Sequence, residues 1–241
     1  MPSSAEIDFR RRPSPRELPE LMDGDCSYGD FLGCLHSLKQ VNRWLLGYRP
    51  TLTWLERLPR EPHEPLHIVD VGSGGGDYLR RIAGWARRRG IRVQLTGIDM
   101  NPYAARAAAQ STPTELGKAW VTGDALVYRP EKPMDIVMSS LMAHHLEDDE
   151  IVALLRWMEA TARVGWFIND LERSQRTARM FGWIGGIAGW HRFVRHDGPV
   201  SFRRAFQKDD WLRLLAAAEI PRQAVTVERW RPGRLCVGRW K

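Results

Sequence analysis

A short β-branched run, His67-Ile68-Val69-Asp70-Val71, gives way to a glycine cluster, Gly72-Ser73-Gly74-Gly75-Gly76, and then to an amphipathic stretch. That stretch sets Tyr78, Leu79, Ile82, Ala83 and Trp85 on one side and Arg80, Arg81, Arg87, Arg88 and Arg89 on the other, and Gly90 stops it. The order is strand, bare-backbone turn, helix. Glycine lets the backbone take positive φ and approach a ligand closely. In an open parallel sheet such a turn lies at the carboxyl edge, where ligands bind. By itself the cluster also suits a tight strand–helix junction with no ligand.

The same alternation continues. Arg92 to Asp99 reads as a second strand, Pro102 to Gln110 as an alanine-rich helix, Lys118 to Thr122 as a third strand and Met134 to Ser140 as a fourth. Asp148 to Ala160 carries Ile151, Leu154, Leu155 and Met158 at helical spacing, and Val164 to Ile168 is a fifth strand. Strands alternating with helices predict a parallel sheet covered on both faces. The end of the chain differs. Leu171 to Pro199 reads as a long insertion, Asp209 to Ala218 as a helix, and Ala224 to Trp230 with Arg234 to Trp240 as two strands joined by Arg231-Pro232-Gly233. A turn that short requires antiparallel pairing. Upstream, apolar positions from Phe31 to Leu58 fit two helices separated at Pro50, and residues 60–65 form a turn or linker. The expected organisation is a flexible arm over 1–24, a helical cap over 25–62 and a main domain over 63–241 with a lid at about 172–200.

The longest unbroken apolar stretch, Met180 to Trp190, has 11 residues, short of the roughly 20 needed to span a bilayer. The N-terminal residues lack the basic start and apolar run of a secretory signal. Three cysteines (Cys26, Cys34, Cys236) without a C-x-x-C pair suggest buried thiols rather than a disulfide framework or zinc cluster. A cytoplasmic location is the expectation. The net charge of +7 is concentrated from Glu172 to Lys241, where 15 basic residues face 6 acidic ones. Such a basic third fits nucleic acid, an anionic surface or a solvated arginine face.

Three companions sharpen the glycine turn. Asp99 ends the second strand, where a carboxylate can take both hydroxyls of a ribose. Gly123-Asp124-Ala125 ends the third, where a carboxylate can accept from an adenine amino group. Ser139-Ser140 ends the fourth, beside the same cleft. Each acid alone suits a cap or turn; together, after a glycine turn, they suggest a nucleoside site. The dinucleotide fingerprint G-x-G-x-x-G fails because Asp77 stands in its sixth position, and no G-K-[ST] follows to make a P-loop.

On these residues the chain resembles the class I S-adenosylmethionine (SAM)-dependent methyltransferases, by motif over about 67–170. The resemblance implies a Rossmann-like α/β fold: a seven-stranded, mostly parallel sheet with its last strand antiparallel and helices on both faces. It implies SAM as cofactor and S-adenosylhomocysteine (SAH) as product. Asp70, Gly72, Ser73, Gly74 and Asp77 would serve the methionine part, Asp99 the ribose, Met100 an adenine face, and Asp124 with Ala125 the adenine edge; Ser140 borders the cleft. Within the family the chain looks most like small-molecule enzymes of the ubiquinone/menaquinone type and those encoded beside polyketide synthases. That likeness rests on Ser139-Ser140-Leu141-Met142-Ala143-His144-His145-Leu146, on Asn169-Asp170-Leu171-Glu172-Arg173-Ser174, and on Arg195-His196-Asp197-Gly198 with Ser201-Phe202-Arg203-Arg204-Ala205-Phe206.

His144 and His145 follow the fourth strand, where an acceptor would meet the methyl group, and imidazole is a base suited to neutral pH. They are the expected catalytic residues, His144 slightly favoured. Asn169, Asp170, Arg173 and Trp183 are the expected substrate contacts, each also compatible with a turn, a solvated helix or ordinary packing. Asn42, Arg43, Tyr48 and Arg49 read as helix surface, with the cofactor carboxylate as an alternative partner. No metal is expected, because adjacent histidines lack a third ligand motif. The expected reaction is O-methylation of a phenolic or polyketide-like small molecule, with a homodimer among the expected assemblies. The alternatives are C-methylation of an electron-rich ring, nucleic-acid methylation, and a non-catalytic SAM-fold scaffold. Nucleic acid is disfavoured because Ser139-Ser140-Leu141-Met142 stands where [DNS]-P-P-[YFW] is expected; Asn101-Pro102-Tyr103 has the look of that motif but follows the wrong strand.

Overall fold

Strand β1 (Leu66–Val71) is buried along its whole length, as a β-branched run must be when both faces of a parallel sheet are covered. In the computed structural model, which describes residues 9–59, 64–113 and 118–241, it is the centre of a seven-stranded sheet. The neighbours follow the order β3-β2-β1-β4-β5-β7-β6, with β2 at Val93–Asp99, β3 at Lys118–Thr122, β4 at Ile136–Ser140, β5 at Gly165–Leu171, β6 at Thr226–Trp230 and β7 at Arg234–Trp240. The first five strands pair in parallel, and β7 is antiparallel to both β5 and β6. The chain order reverses between β1 and its neighbours β2 and β4, which opens a crevice at their carboxyl ends. The sheet and its antiparallel close are those expected from the sequence.

Eight helices flank the sheet among the described residues: α1 (Tyr28–Trp44), α2 (Arg49–Leu55), α3 (Asp77–Arg89), α4 (Pro102–Gln110), α5 (Asp148–Thr161), α6 (Gln175–Ile187), α7 (Arg192–Arg204) and α8 (Lys208–Ala217). Helix α3 follows its sequence signals, with Asp77 in the first turn, three arginines in the last and Gly90 in the left-handed cap. On one sheet face, Val69, Val137 and Ile168 pack with Leu154, Leu155, Met158 and Trp211 of α5 and α8. On the other, Ile68, Leu95 and Phe167 meet Leu79, Ile82 and Trp85 of α3 and Trp54 of α2. A third cluster joins Val41 of α1 to Phe181, Phe193 and Phe202 of α6 and α7.

Four features differ from the sequence reading. Pro50 sits in the first turn of α2, where its missing N–H costs no hydrogen bond; the chain breaks earlier, at Leu46, which has a positive φ of 53°. Strand β5 runs on to Leu171 because β7 pairs with it there (Asn169 with Cys236, Asp170 with Leu235, Leu171 with Arg234). Asn169 and Asp170 therefore lie within a strand. The insertion at about 172–200 folds as α6 and most of α7. Residues 9–24, grouped by sequence with a flexible arm, lie against the body: Arg12 is buried, donating to the Arg204 and Leu146 carbonyls and to Asp148. Residues 1–8 of that arm and residues 60–63 of the proposed linker lie outside the described residues. No helix among the described residues is long and apolar enough to cross a membrane.

Candidate active site

At the end of β1 the backbone turns through Gly72 (φ 71°) and Gly76 (φ 70°), a region side chains resist. A Cβ on Gly76 would stand 2.2 Å from the Trp120 ring, and one on Gly72 2.4 Å from Met142 Cγ. The turn is thus packed tightly by Trp120 and Met142, and it borders a cavity of about 900 Å³. All ten residues expected to hold a cofactor line this cavity: Asp70, Gly72, Ser73, Gly74, Asp77, Asp99, Met100, Asp124, Ala125 and Ser140.

Their polar atoms are partly engaged. Asp99 accepts from the Gly74 N–H (2.7 Å) and the Asn101 N–H (2.8 Å), fastening the glycine turn to the end of β2. Asp77 accepts from the Tyr48 hydroxyl (2.6 Å), and Asp124 caps its own short turn through the Leu126 N–H (2.8 Å). Asp70 Oδ1 and Ser140 Oγ have no partner although both are sealed from solvent. Burial, then the nearby charges of Asp77 and Asp99, push the Asp70 carboxyl well above its ordinary range. Burial also raises Asp99, opposed by its two N–H donors. A crevice lined by five aspartates, these four and Asp23, suits a ligand that is cationic and rich in hydroxyl donors.

The opposite wall is mostly apolar. Phe31, Leu32, Leu35 and Leu38 of α1, with Met22 from the preceding segment, face the glycine turn across the cavity. Leu35 comes closest, 3.1 Å from where a Gly75 Cβ would be. Lys39 and His36 lie on the same wall. By sequence α1 belongs to a cap over an apolar acceptor, and the i, i+4, i+7 spacing of Phe31, Leu35 and Leu38 marks the face it turns inward.

The two histidines part company. His145 lines the cavity with a side chain 29% exposed, and its Nδ1 lies 2.7 Å from Asp23 Oδ1. Burial works against its charged form, but the carboxylates of Glu20 and Asp23 outweigh it and raise the His145 pKa. Asp23 itself stays below the usual carboxylate range; burial opposes this, and hydrogen bonds from His145 and Arg204 prevail. His144 is buried beneath the cavity wall, and its Nδ1 lies 2.7 Å from Asp170 Oδ1. Burial lowers its pKa despite that carboxylate. The 3-10 turn over Ala143–His145 puts His145 on the cavity and His144 beneath it.

The four expected substrate contacts lie elsewhere. Asn169 is fully buried and donates to the Gly47 carbonyl (2.9 Å) and Thr51 (3.0 Å). Asp170 holds His144. Arg173 is buried and donates to the Ala205 carbonyl and to Asp210 (both 2.8 Å), joining β5 to α8. Trp183 is 72% exposed on the outer side of α6, and no residue of α6 or α7 borders the cavity. Asn42 does border it, but its Oδ1 accepts from Arg234 (2.7 Å). Part of the basic C-terminal third is internal as well: Arg173, Arg204 and Arg234 are buried cations tying loops together, which weakens the case for a nucleic-acid face.

Comparison with known proteins agrees with this geometry. Residues 68–165 match the family described as methyltransferase domain. Trans-aconitate 2-methyltransferase of Streptomyces avermitilis is 35% identical over 95 residues, which is 38% of this chain and 34% of that protein. The match thus spans about a third of the relative's length. Among solved structures, a plantazolicin methyltransferase in complex with SAH superposes with a TM-score of 0.62 at 13% identity, over 89% of this chain and 95% of that one. A putative O-methyltransferase from Nostoc punctiforme gives 0.60 at 10% identity, over 87% and 60%. The CMeT domain of the citrinin polyketide synthase gives 0.56 at 14% identity, over 80% and 52%. At these identities the structural likeness speaks for the fold.

Proposed function

Because residues 68–165 carry a methyltransferase domain in a class I fold, we propose that this protein transfers a methyl group from SAM to a hydroxyl of a small, largely apolar molecule. The observation that carries the reading is one cavity in which a glycine turn and acidic strand ends face an apolar helix, with His145 beside them. A cationic, hydroxyl-bearing nucleoside matches the unpaired Asp70 and its acidic neighbours; the apolar wall of α1 matches an acceptor with little charge.

When bound, SAM supplies a methyl group on a positively charged sulfur that departs as a neutral thioether. The chain's own contribution is binding, orientation and removal of one proton. Asp70 and the backbone of Gly72 to Gly76 hold the methionine part, Asp99 the ribose, and Asp124, Ala125 and Met100 the adenine. The α1 side chains exclude water from the acceptor and align its oxygen, which is where most of the acceleration of such a displacement arises. His145 removes the hydroxyl proton at Nε2, since Asp23 takes the hydrogen on Nδ1 and thereby fixes the tautomer and ring orientation. Asp23 is a positioning residue in this scheme.

A second reading keeps the chemistry and changes the acceptor. Lys39 and His36 stand on the acceptor side of the cavity, and a carboxylate acceptor would use such a charge and need no base. The test for both is calorimetric titration with SAM and SAH, followed by turnover of phenol, enol and carboxylate acceptors in wild type and in His145→Ala. Micromolar SAM binding and turnover of a hydroxyl acceptor that falls at least tenfold in the variant support the first reading. Turnover of carboxylates, unchanged in the variant, supports the second. Absence of SAM binding refutes both.

A further inference from the structure

We propose that Glu20, His144 and His145 form a binding site for a divalent cation of the zinc class, and that filling it switches methyl transfer off by taking His145 out of proton exchange. The inhibitory consequence rests on the function proposed above; the metal site does not.

Adjacent histidines alone do not make a metal site, and the sequence offers no third ligand nearby. The fold supplies one from 124 residues upstream. Glu20 lies in the segment ahead of α1, is buried, and sits with one carboxylate oxygen 3.9 Å from His144 Nε2 and the other 3.8 Å from His145 Nε2. The three donor atoms lie within 4.8 Å of one another. Zinc–nitrogen and zinc–oxygen bonds are about 2.0–2.2 Å, so tetrahedral ligands of one ion stand about 3.3–3.6 Å apart. Both glutamate–histidine spacings lie a few tenths of an ångström beyond that range, and side-chain rotations would close the set.

The surroundings are those of a metal site. Each histidine has its Nδ1 held at 2.7 Å by a carboxylate, His144 by Asp170 and His145 by Asp23. That arrangement places the hydrogen on Nδ1, so that each ring in its neutral form presents the Nε2 lone pair, as metal-ligating histidines require. Ser201 donates to Glu20 Oε1 at 2.7 Å, so the third ligand is oriented in turn. The charged surroundings are mixed: Arg204 meets Asp23 at 2.7 Å and Glu20 at 3.6 Å, and Arg12 and Arg234 act on Asp170, so the case for an ion rests on the donor geometry. His145 and Asp23 also line the cavity, which gives an ion its route in and an exchangeable fourth position.

The test uses the full chain and Co²⁺ as a spectroscopic substitute for Zn²⁺. The expected result is the visible absorption of four-coordinate Co²⁺ at one equivalent, lost on adding Zn²⁺. In Glu20→Gln, Co²⁺ affinity is expected to fall at least tenfold while SAH affinity stays within twofold, which also reports that the variant is folded. If E20Q fails to bind SAH, Glu20→Asp, with its carboxylate drawn back by one methylene, replaces it with the same expected loss. One equivalent of Zn²⁺ is expected to reduce turnover at least tenfold with SAH binding intact. No stoichiometric Co²⁺ band, or a band indifferent to the Glu20 variants, overturns the site. Metal binding without inhibition overturns the switch alone, and metal binding without SAM binding overturns the proposed function while leaving the site in place.

Discussion

Asp70→Asn is expected to make the empty protein more stable and the SAM complex much weaker. Asp70 is 2% exposed, its Oδ1 has no partner, and Asp77 and Asp99 share its crevice. A buried polar group left unpartnered costs about 1–3 kcal/mol, more when charged. Once the pH exceeds the raised Asp70 pKa, removing the charge while keeping the shape should recover about 1–2 kcal/mol, or roughly 2–8 °C in Tm for a chain of this size. The pH dependence has a definite sign. Since the folded-state pKa is raised above the unfolded one, the folded chain holds the proton longer, and wild-type stability falls as pH rises from the unfolded value towards the folded one. The asparagine has no such loss, so the gap between the two proteins widens with pH. Binding moves the opposite way: losing one member of a desolvated charged contact costs about 2–5 kcal/mol, some 30-fold to several thousandfold in affinity. Wild-type affinity for SAM should climb with pH through the raised Asp70 pKa, and the variant's should not. Thermal unfolding from pH 5 to 8 and calorimetry with SAM measure both. A variant with lower Tm, or one that binds SAM as tightly as wild type, would refute the assignment of Asp70 as a charge stored for the ligand.

Other perturbations separate the remaining roles. Turnover should decline as pH falls through the His145 pKa, which Glu20 and Asp23 hold above the ordinary histidine value, and Asp23→Asn should move that midpoint down; an unshifted profile excludes His145 as the titrating group. His145→Ala should lower kcat by about 10²–10⁴-fold with SAH affinity unchanged, as calorimetry and single-turnover assays would read. Asp99→Ala removes both the expected ribose contact and the fastening of the Gly74 turn, and should weaken SAM binding at least a hundredfold; a loss under threefold argues against either role. Gly76→Ala meets the Trp120 ring at 2.2 Å with φ at 70°, and should destabilise the fold by about 1–3 kcal/mol in denaturant titration.

What the sequence made legible is what short stretches of chain determine. The glycine turn, Asp99, Asp124 and Ser140 each stand within a residue or two of their own strand's end, so a correct reading of strands places them on one edge with no further information. What it left obscure depends on contacts between distant segments. Asn169 and Asp170 looked like strand-end residues open to a substrate, but β7 pairs alongside them and turns them into structural polar groups. Arg173 looked solvated, and it is buried because α8 brings Asp210 to it. His144 and His145 are chemically identical neighbours; which one faces the cavity is decided by the turn after Leu141, a residue at φ 57°, and by carboxylates from β5 and from the segment before α1. Trp183 carries the aromatic signal of a lid, yet it is Gly185 and Phe181 of the same helix that turn inward onto Trp190.

The segment before α1 adds negative charge to the site. Glu20 and Asp23 bring two carboxylates to a crevice edge that already carries Asp70, Asp77, Asp99 and Asp124, an accumulation that disfavours folding unless cations answer it. Arg204 answers part of it, meeting Asp23 at 2.7 Å and Glu20 at 3.6 Å, and Arg12 ties the same segment to Asp148 and to the backbone at Arg204 and Leu146. Two buried arginines thus hold in place the carboxylate that orients His145. It follows that truncation before Asp25 should cost more than a loose tail would: the base loses its Asp23 partner, its pKa falls back towards the ordinary value, and Arg204 is left buried with its main anion gone. A truncated protein that kept both its stability and its pH profile would show that the segment merely rests on the surface.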